Sequence, residues 1–104
     1  VYLKQPLADG LQGDAGRGAE LYLNNCATCH GEQGDGRGPR AYFINPKPRN
    51  FLHAASRAAL NRPTLHRVIS KGKLRTEMPA WEKVLNSQQI ADLSEFVFVT
   101  FIQP

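Results

Sequence analysis

The sequence predicts an all-α domain in which three to five helices form one small compact unit. Three observations predict it. Apolar residues recur at three- and four-residue spacing in segments opened by capping residues. No alternating apolar run of strand type appears near the paired cysteines. The 104 residues suffice for one small domain with a limited apolar core, and they contain no repeat, low-complexity segment or second domain.

Residues 1–13 hold Pro6, Gly10 and Gly13 without a clear period and read as an extended N-terminal arm, leaving 14–104 as the domain proper. Asp14 is a plausible N-cap. The segment 15–25 then reads as a helix, with Ala15, Gly18, Leu21, Tyr22 and Asn25 on one face. Gly18 inside it costs about 1 kcal/mol against alanine, and such a glycine often marks the close approach of another element. Residues 31–39 carry four glycines and Pro39 and form a loop. Pro46 and Pro48 make 40–51 irregular or extended, with Tyr42, Phe43, Ile44 and Phe51 as apolar cover. The alanine-rich 53–60 suggests a short helix. Asn61-Arg62-Pro63 opens another, with Leu65, Val68 and Ile69 on its apolar face and Gly72 at its end. Residues 74–85 read mainly as loop. Asn86-Ser87-Gln88-Gln89 resembles a capping box opening a helix from 87 to 101, with Ile90, Leu93, Phe96, Val97 and Phe101 as its buried stripe.

The stretch Cys26-Ala27-Thr28-Cys29-His30 organises the chain. Two thiols separated by two residues can add to the two vinyl groups of one porphyrin edge, and the adjacent imidazole can bind the iron as proximal ligand. A redox dithiol would expect a neighbouring βαβ pattern. A zinc site would need two more ligands, and His53 and His66 have no finger-like spacing. A disulfide would leave His30 unexplained. One covalent haem c, iron cycling between Fe2+ and Fe3+, is therefore the expected cofactor, and it gives a short chain a large flat apolar surface to wrap around.

Net charge is +4, with hydrophobic residues at 41% and charged residues at 21%, as in a soluble globular protein. No apolar run approaches membrane-spanning length. The N-terminus shows no signal-peptide pattern, and haem attachment to cysteine normally takes place outside the cytoplasm. A processed periplasmic protein, or an excised domain, is the expectation. Between residues 36 and 76 lie Arg37, Arg40, Lys47, Arg49, Arg57, Arg62, Arg67, Lys71, Lys73 and Arg75, with no acid among them. No nucleic-acid motif accompanies this run. Part of it is expected to face the haem propionates, which carry roughly −2 at neutral pH, and the rest to steer an acidic redox partner.

Met78 is the sole methionine and precedes Pro79 in a loop able to reach across the ring. A thioether is a soft, neutral sixth ligand that raises the potential. The competing reading is a core-filling methionine. His53 and His66 are rivals for the same position, and an iron without Met78 would point to peroxidase or gas-sensing chemistry. The outer nitrogen of His30 needs an acceptor, for which the Pro39 carbonyl is the candidate. Trp81 has a donor that reaches either a propionate or backbone and water. Arg49 and Asn50 are further propionate candidates.

With Cys26, Cys29, His30, Pro39 and Met78 in place, the chain resembles a class I c-type cytochrome of the short bacterial kind over residues 14–101. Gly18 and Tyr22 match the glycine and aromatic of that family's first helix, and Leu93 and Phe96 match positions on its last helix. The resemblance implies the class I cytochrome c fold, in which those two helices cross at nearly right angles. It implies single-electron shuttling between periplasmic redox proteins. The chain would then be no enzyme itself, but either a free carrier or the cytochrome subunit or domain of a larger oxidoreductase. The aromatic tail 96–102 and the N-terminal arm favour the second setting. The segment 40–61 is longer and more basic than in the shortest members.

Overall fold

Each principal helix starts where a short polar side chain satisfies its first free N–H groups. The computed structural model describes residues 5–7, 10–44, 48–73 and 78–103, without the side chain of Tyr42. Asp14, in extended conformation, accepts the Arg17 N–H at 3.0 Å and opens α1 (Ala15–Asn25). A single turn, α2 (Ala27–His30), follows after Cys26. α3 (Ala54–Ala59) is the short alanine-rich helix. Asn61 accepts the Thr64 N–H at 2.9 Å to open α4 (Arg62–Lys71), with Pro63 in its first turn. Asn86 and Gln89 exchange hydrogen bonds at 2.8 and 2.9 Å as a capping box for α5 (Ser87–Val97). The fold is all-α, with no strand among the described residues.

Three segments depart from the sequence expectation. Residues 40–51 are not wholly irregular, because Pro39–Phe43 forms a 3-10 helix against α2. Trp81–Lys83 is a second 3-10 turn within the expected loop. The last helix does not stay α-helical to 101: after Val97 it widens into a π turn, Phe98–Ile102. The wider turn lets Phe98, Phe101 and Ile102 all point inward, and Arg57 Nε donates to the Phe101 carbonyl at 3.1 Å. The aromatic tail is thus largely core, and it no longer argues for a permanent subunit interface.

α1 lies across α5 in the most extensive helix contact, and α4 packs on α5 beside it. Gly18 is what lets the backbones meet. A Cβ there would overlap the Asp92 carbonyl oxygen and come within 2.8 Å of Phe96 Cβ. The expected neighbours were Leu93 or Phe96; Phe96 and Asp92 are the ones found. Asp92 is buried at the crossing and accepts from the Asp14 N–H at 2.8 Å, Arg17 Nε at 3.0 Å and Gln88 Nε2 at 2.9 Å. The end of the N-terminal arm meets the same helix. Leu7 is buried, the Gln12 carbonyl accepts from Gln88 at 2.8 Å, and Gly13 sits against Ala91 and Glu95. Tyr22, Leu65, Ile69, Ile90, Leu93 and Val97 form the core beneath.

Candidate haem site

The turn α2 converts the spacing of the cysteine motif into geometry. The His30 N–H donates to the Cys26 carbonyl at 2.9 Å and the Cys29 N–H to the same oxygen at 3.2 Å. Residues at i, i+3 and i+4 share one helix face, so Cys26, Cys29 and His30 all line one cavity of about 780 Å³. That volume lies within the ~300–1,000 Å³ usual for cofactor sites. α1 contributes Tyr22, whose hydroxyl donates to the Gly31 carbonyl at 2.6 Å. Burial, then the neighbouring Cys26 and Asp35, push its phenol above the ordinary range, so it stays neutral. α3, α4 and the segment 78–81 complete the wall.

The glycine loop after His30 folds back beneath it. Gly36 N–H donates to the His30 carbonyl at 2.8 Å and Gly38 N–H to the Cys29 carbonyl at 3.0 Å. A Cβ on Gly38 would overlap the carbonyls of Ala27 and Thr28, so only glycine fits. The Phe51 N–H donates to the Gly34 carbonyl at 2.7 Å and pins the next segment to this loop.

His30 Nδ1 donates to the Arg49 carbonyl at 3.1 Å. A carbonyl can only accept, so Nδ1 carries the hydrogen and Nε2 keeps its lone pair. Burial and the charge of Lys73 push the imidazole below its ordinary range against the pull of Arg49, which favours the neutral ligating form. Burial, then the neighbouring Cys29, push the Cys26 thiol up to about 12. The acceptor for His30 is therefore Arg49 and not Pro39. Pro39 begins the 3-10 helix, where its carbonyl runs along the helix axis, and it does not line the cavity.

Met78, half-buried, lines the same cavity and packs against the core. Lys73 N–H donates to its carbonyl at 3.3 Å. A Cβ on Gly72, which has φ 70°, would come within 2.7 Å of that carbonyl oxygen, so the glycine ending α4 lets the Met78-Pro79 segment close on the helix. Trp81, Arg49 and Asn50 all line the cavity as expected. The Asn50 side chain also accepts the Leu52 N–H at 2.8 Å. His53 reaches the cavity too, but His66 does not. The His66 ring bonds the Ser87 carbonyl at 3.3 Å and Ser70 Oγ at 3.4 Å. Ile44 and Phe51 line the wall, whereas Phe43 is 81% exposed.

Arg67 and Lys73, two members of the basic run, also line the cavity. With Arg49 they put three cations in the wall and no carboxylate among its described residues. Two thiols, a neutral imidazole, a thioether, apolar walls and cations suited to two propionates make a donor set that fits a covalent haem.

The family model for cytochrome c oxidase, cbb3-type, subunit III matches residues 13–97. The chain is 36% identical over 96 residues to a cytochrome c-553-like protein of Synechocystis, covering 92% of this chain and 76% of that protein. It is 33% identical over 86 residues to the cbb3-type cytochrome c oxidase subunit CcoP of Azospirillum brasilense, covering 80% of this chain but only 27% of that one. Among solved structures, a chain of the Kuenenia stuttgartiensis reducing HAO-like protein complex superposes with a TM-score of 0.69 at 25% identity, over 97% of this chain and 45% of that one. Cytochrome c6 of the diatom Phaeodactylum tricornutum shares the fold, with a TM-score of 0.62 at 24% identity over 84% and 93% of the two chains.

Proposed function

The chain belongs to the cytochrome c family, in the cbb3-type oxidase subunit III group, and transfers single electrons through one covalent haem c; on that premise we propose the residues that do this and their setting. The observation that carries the assignment is the convergence of Cys26, Cys29, His30 and Met78 on one cavity. Cys26 and Cys29 hold the ring as thioethers. His30, through Nε2, and Met78 would be the protein ligands of the iron. The haem, when bound, contributes an iron that gains and loses one electron between Fe2+ and Fe3+ with both ligands retained. The chain contributes rigidity. The Arg49 carbonyl fixes His30 at 3.1 Å, Gly72 seats Met78, and apolar walls keep water from reorganising around the changing charge. Arg49, Asn50 and Trp81, with Arg67, take the propionates. Met78 in the cavity wall argues against an open iron with peroxidase or gas-sensing activity.

The working unit is residues 14–104, preceded by the arm 1–13, of which Gln12 and Gly13 meet α5. It acts in the periplasm after processing, as a carrier or as the cytochrome part of a larger oxidoreductase. The cbb3-type subunit relatives support the second setting, and the c-553-like relative supports the first. No described helix is long and apolar enough to cross a membrane. Its partner is a periplasmic redox protein with an acidic docking patch, met by basic residues such as Arg37 and Lys73, both exposed.

The ligand set is tested on ferric holoprotein. The expected result is the weak near-infrared absorption of an iron–thioether bond, abolished by Met78→Ala. An intact band in that variant removes Met78 from the iron.

A further inference from the structure

Two contacts on His30 come from one three-residue segment. The Arg49 carbonyl accepts from Nδ1 at 3.1 Å, and the Phe51 ring stacks on the imidazole with centroids 4.6 Å apart and planes 16° from parallel. A hydrogen bond along one edge fixes where the ring points, yet leaves it a soft rotation about the donor–acceptor line. A flat ring against its face removes that rotation. We propose that Phe51 is a positioning residue that sets the orientation of the His30 imidazole plane, and through it the electronic state of the iron. The inference rests on His30 being the ligand.

Phe51 is itself held from behind. It is buried, its N–H is tied to the Gly34 carbonyl at 2.7 Å, and its ring stacks on Phe101 at 6.0 Å and 15°. Phe101 lies in the π turn and meets Tyr22 at 5.5 Å and Phe96 at 5.7 Å, both at the α1–α5 crossing. The imidazole plane is thus referenced, ring by ring, to the α1–α5 crossing. The widened π turn gains a purpose here, because it presents Phe101 to Phe51 while Phe98 turns to Arg62, whose guanidinium carbon lies 4.2 Å from that ring's centroid.

Low-temperature electron paramagnetic resonance of ferric holoprotein reads this orientation, because low-spin g values depend on the axial ligand planes. Wild type should give one sharp rhombic low-spin signal, Phe51→Leu a shifted and broadened one, and Phe51→Tyr, which keeps the flat face, the wild-type signal. Phe98→Leu removes a buried ring outside the stack; it should lower the melting temperature and leave the g values unchanged. Should Phe51→Leu fail to incorporate haem, Phe101→Leu loosens the stack from behind and should shift the signal in its place. A Phe51→Leu spectrum superimposable on wild type overturns the proposal, as does an unshifted Phe101→Leu where that variant is the one read, or a Phe98→Leu shift of equal size. A wild-type iron without a histidine ligand would instead refute the ligand assignment.

Discussion

Gly18→Ala adds one methyl group where none fits. The new Cβ would overlap the Asp92 carbonyl oxygen and lie 2.6 Å from the Asp92 carbonyl carbon and 2.8 Å from Phe96 Cβ, where ordinary contact begins at 3.4 Å. Backbone atoms cannot swing aside as a side-chain tip can, so α1 and α5 must part by at least about 0.8 Å, a gap that already forfeits a quarter to a half of the dispersion well between facing atoms. Overpacking of this kind costs about 1–3 kcal/mol. Alanine returns about 1 kcal/mol through helix propensity. The net runs from about zero to a loss of about 2 kcal/mol, and a domain of this size loses roughly 4–8 °C of melting temperature per kcal/mol. Denaturant unfolding of holoprotein, followed at the haem band and by far-ultraviolet circular dichroism, measures it. The sign decides the matter. A glycine on an open helix face would make alanine stabilising by about 1 kcal/mol, so a Gly18→Ala protein more stable than wild type would falsify the packing argument.

The same crossing makes a pH prediction. Burial works to raise the Asp92 carboxyl, but hydrogen bonds from Arg17, the Asp14 N–H and Gln88, with the charge of Arg17, hold it below the ordinary carboxylate range. A depressed folded value means that the stabilisation is complete above the unfolded pKa of about 3.9 and is lost as pH falls through the folded one. Asp92→Asn should be less stable at pH 7, with the gap to wild type narrowing below about pH 4; a gap independent of pH would show that the charge contributes nothing. The electron-transfer rate with the native partner should fall as salt rises, because the screening length drops to ~8 Å at physiological ionic strength, and Arg37→Glu or Lys73→Glu should flatten that dependence. A rate indifferent to salt would assign the basic residues to propionates and solubility, and together with a tightly co-purifying enzyme it would favour the permanent-subunit setting.

What the sequence made legible was local. Asp14, Asn61 and Asn86 each cap the helix expected of them, because a cap is a bond between residues two or three apart. The cysteine motif placed three site residues because their spacing matches one helical turn. Gly18 stood out because glycine inside a helix is costly. Gly13 and Gly38 meet neighbours just as closely but lie in loops where glycine is ordinary. The one-turn α2 and the 3-10 turns are too short to show a period. The acceptor for His30 was the hardest to find, because every residue offers a carbonyl, and no side-chain pattern separates Arg49 from Pro39. Phe43 and Phe51 sit in the same irregular stretch, yet one faces solvent and the other stacks on the imidazole. Lys47 and Arg75 of the basic run lie outside the described residues.

That basic run also shows how a linear charge pattern changes in space. No acid lies between residues 36 and 76, yet Arg62 meets Glu95 through two nitrogens at 2.6 and 3.0 Å, and Lys71 meets Glu82 at 3.1 Å. Both acids come from beyond the run, brought back by α5 and by the turn at Trp81. Arg57 is committed to the Phe101 carbonyl at 3.1 Å. Arg49, Arg67 and Lys73 gather at the cavity wall. Among the described basic residues, then, Arg49, Arg67 and Lys73 share one wall of the cavity, while Arg57, Arg62 and Lys71 are taken up by contacts within the fold.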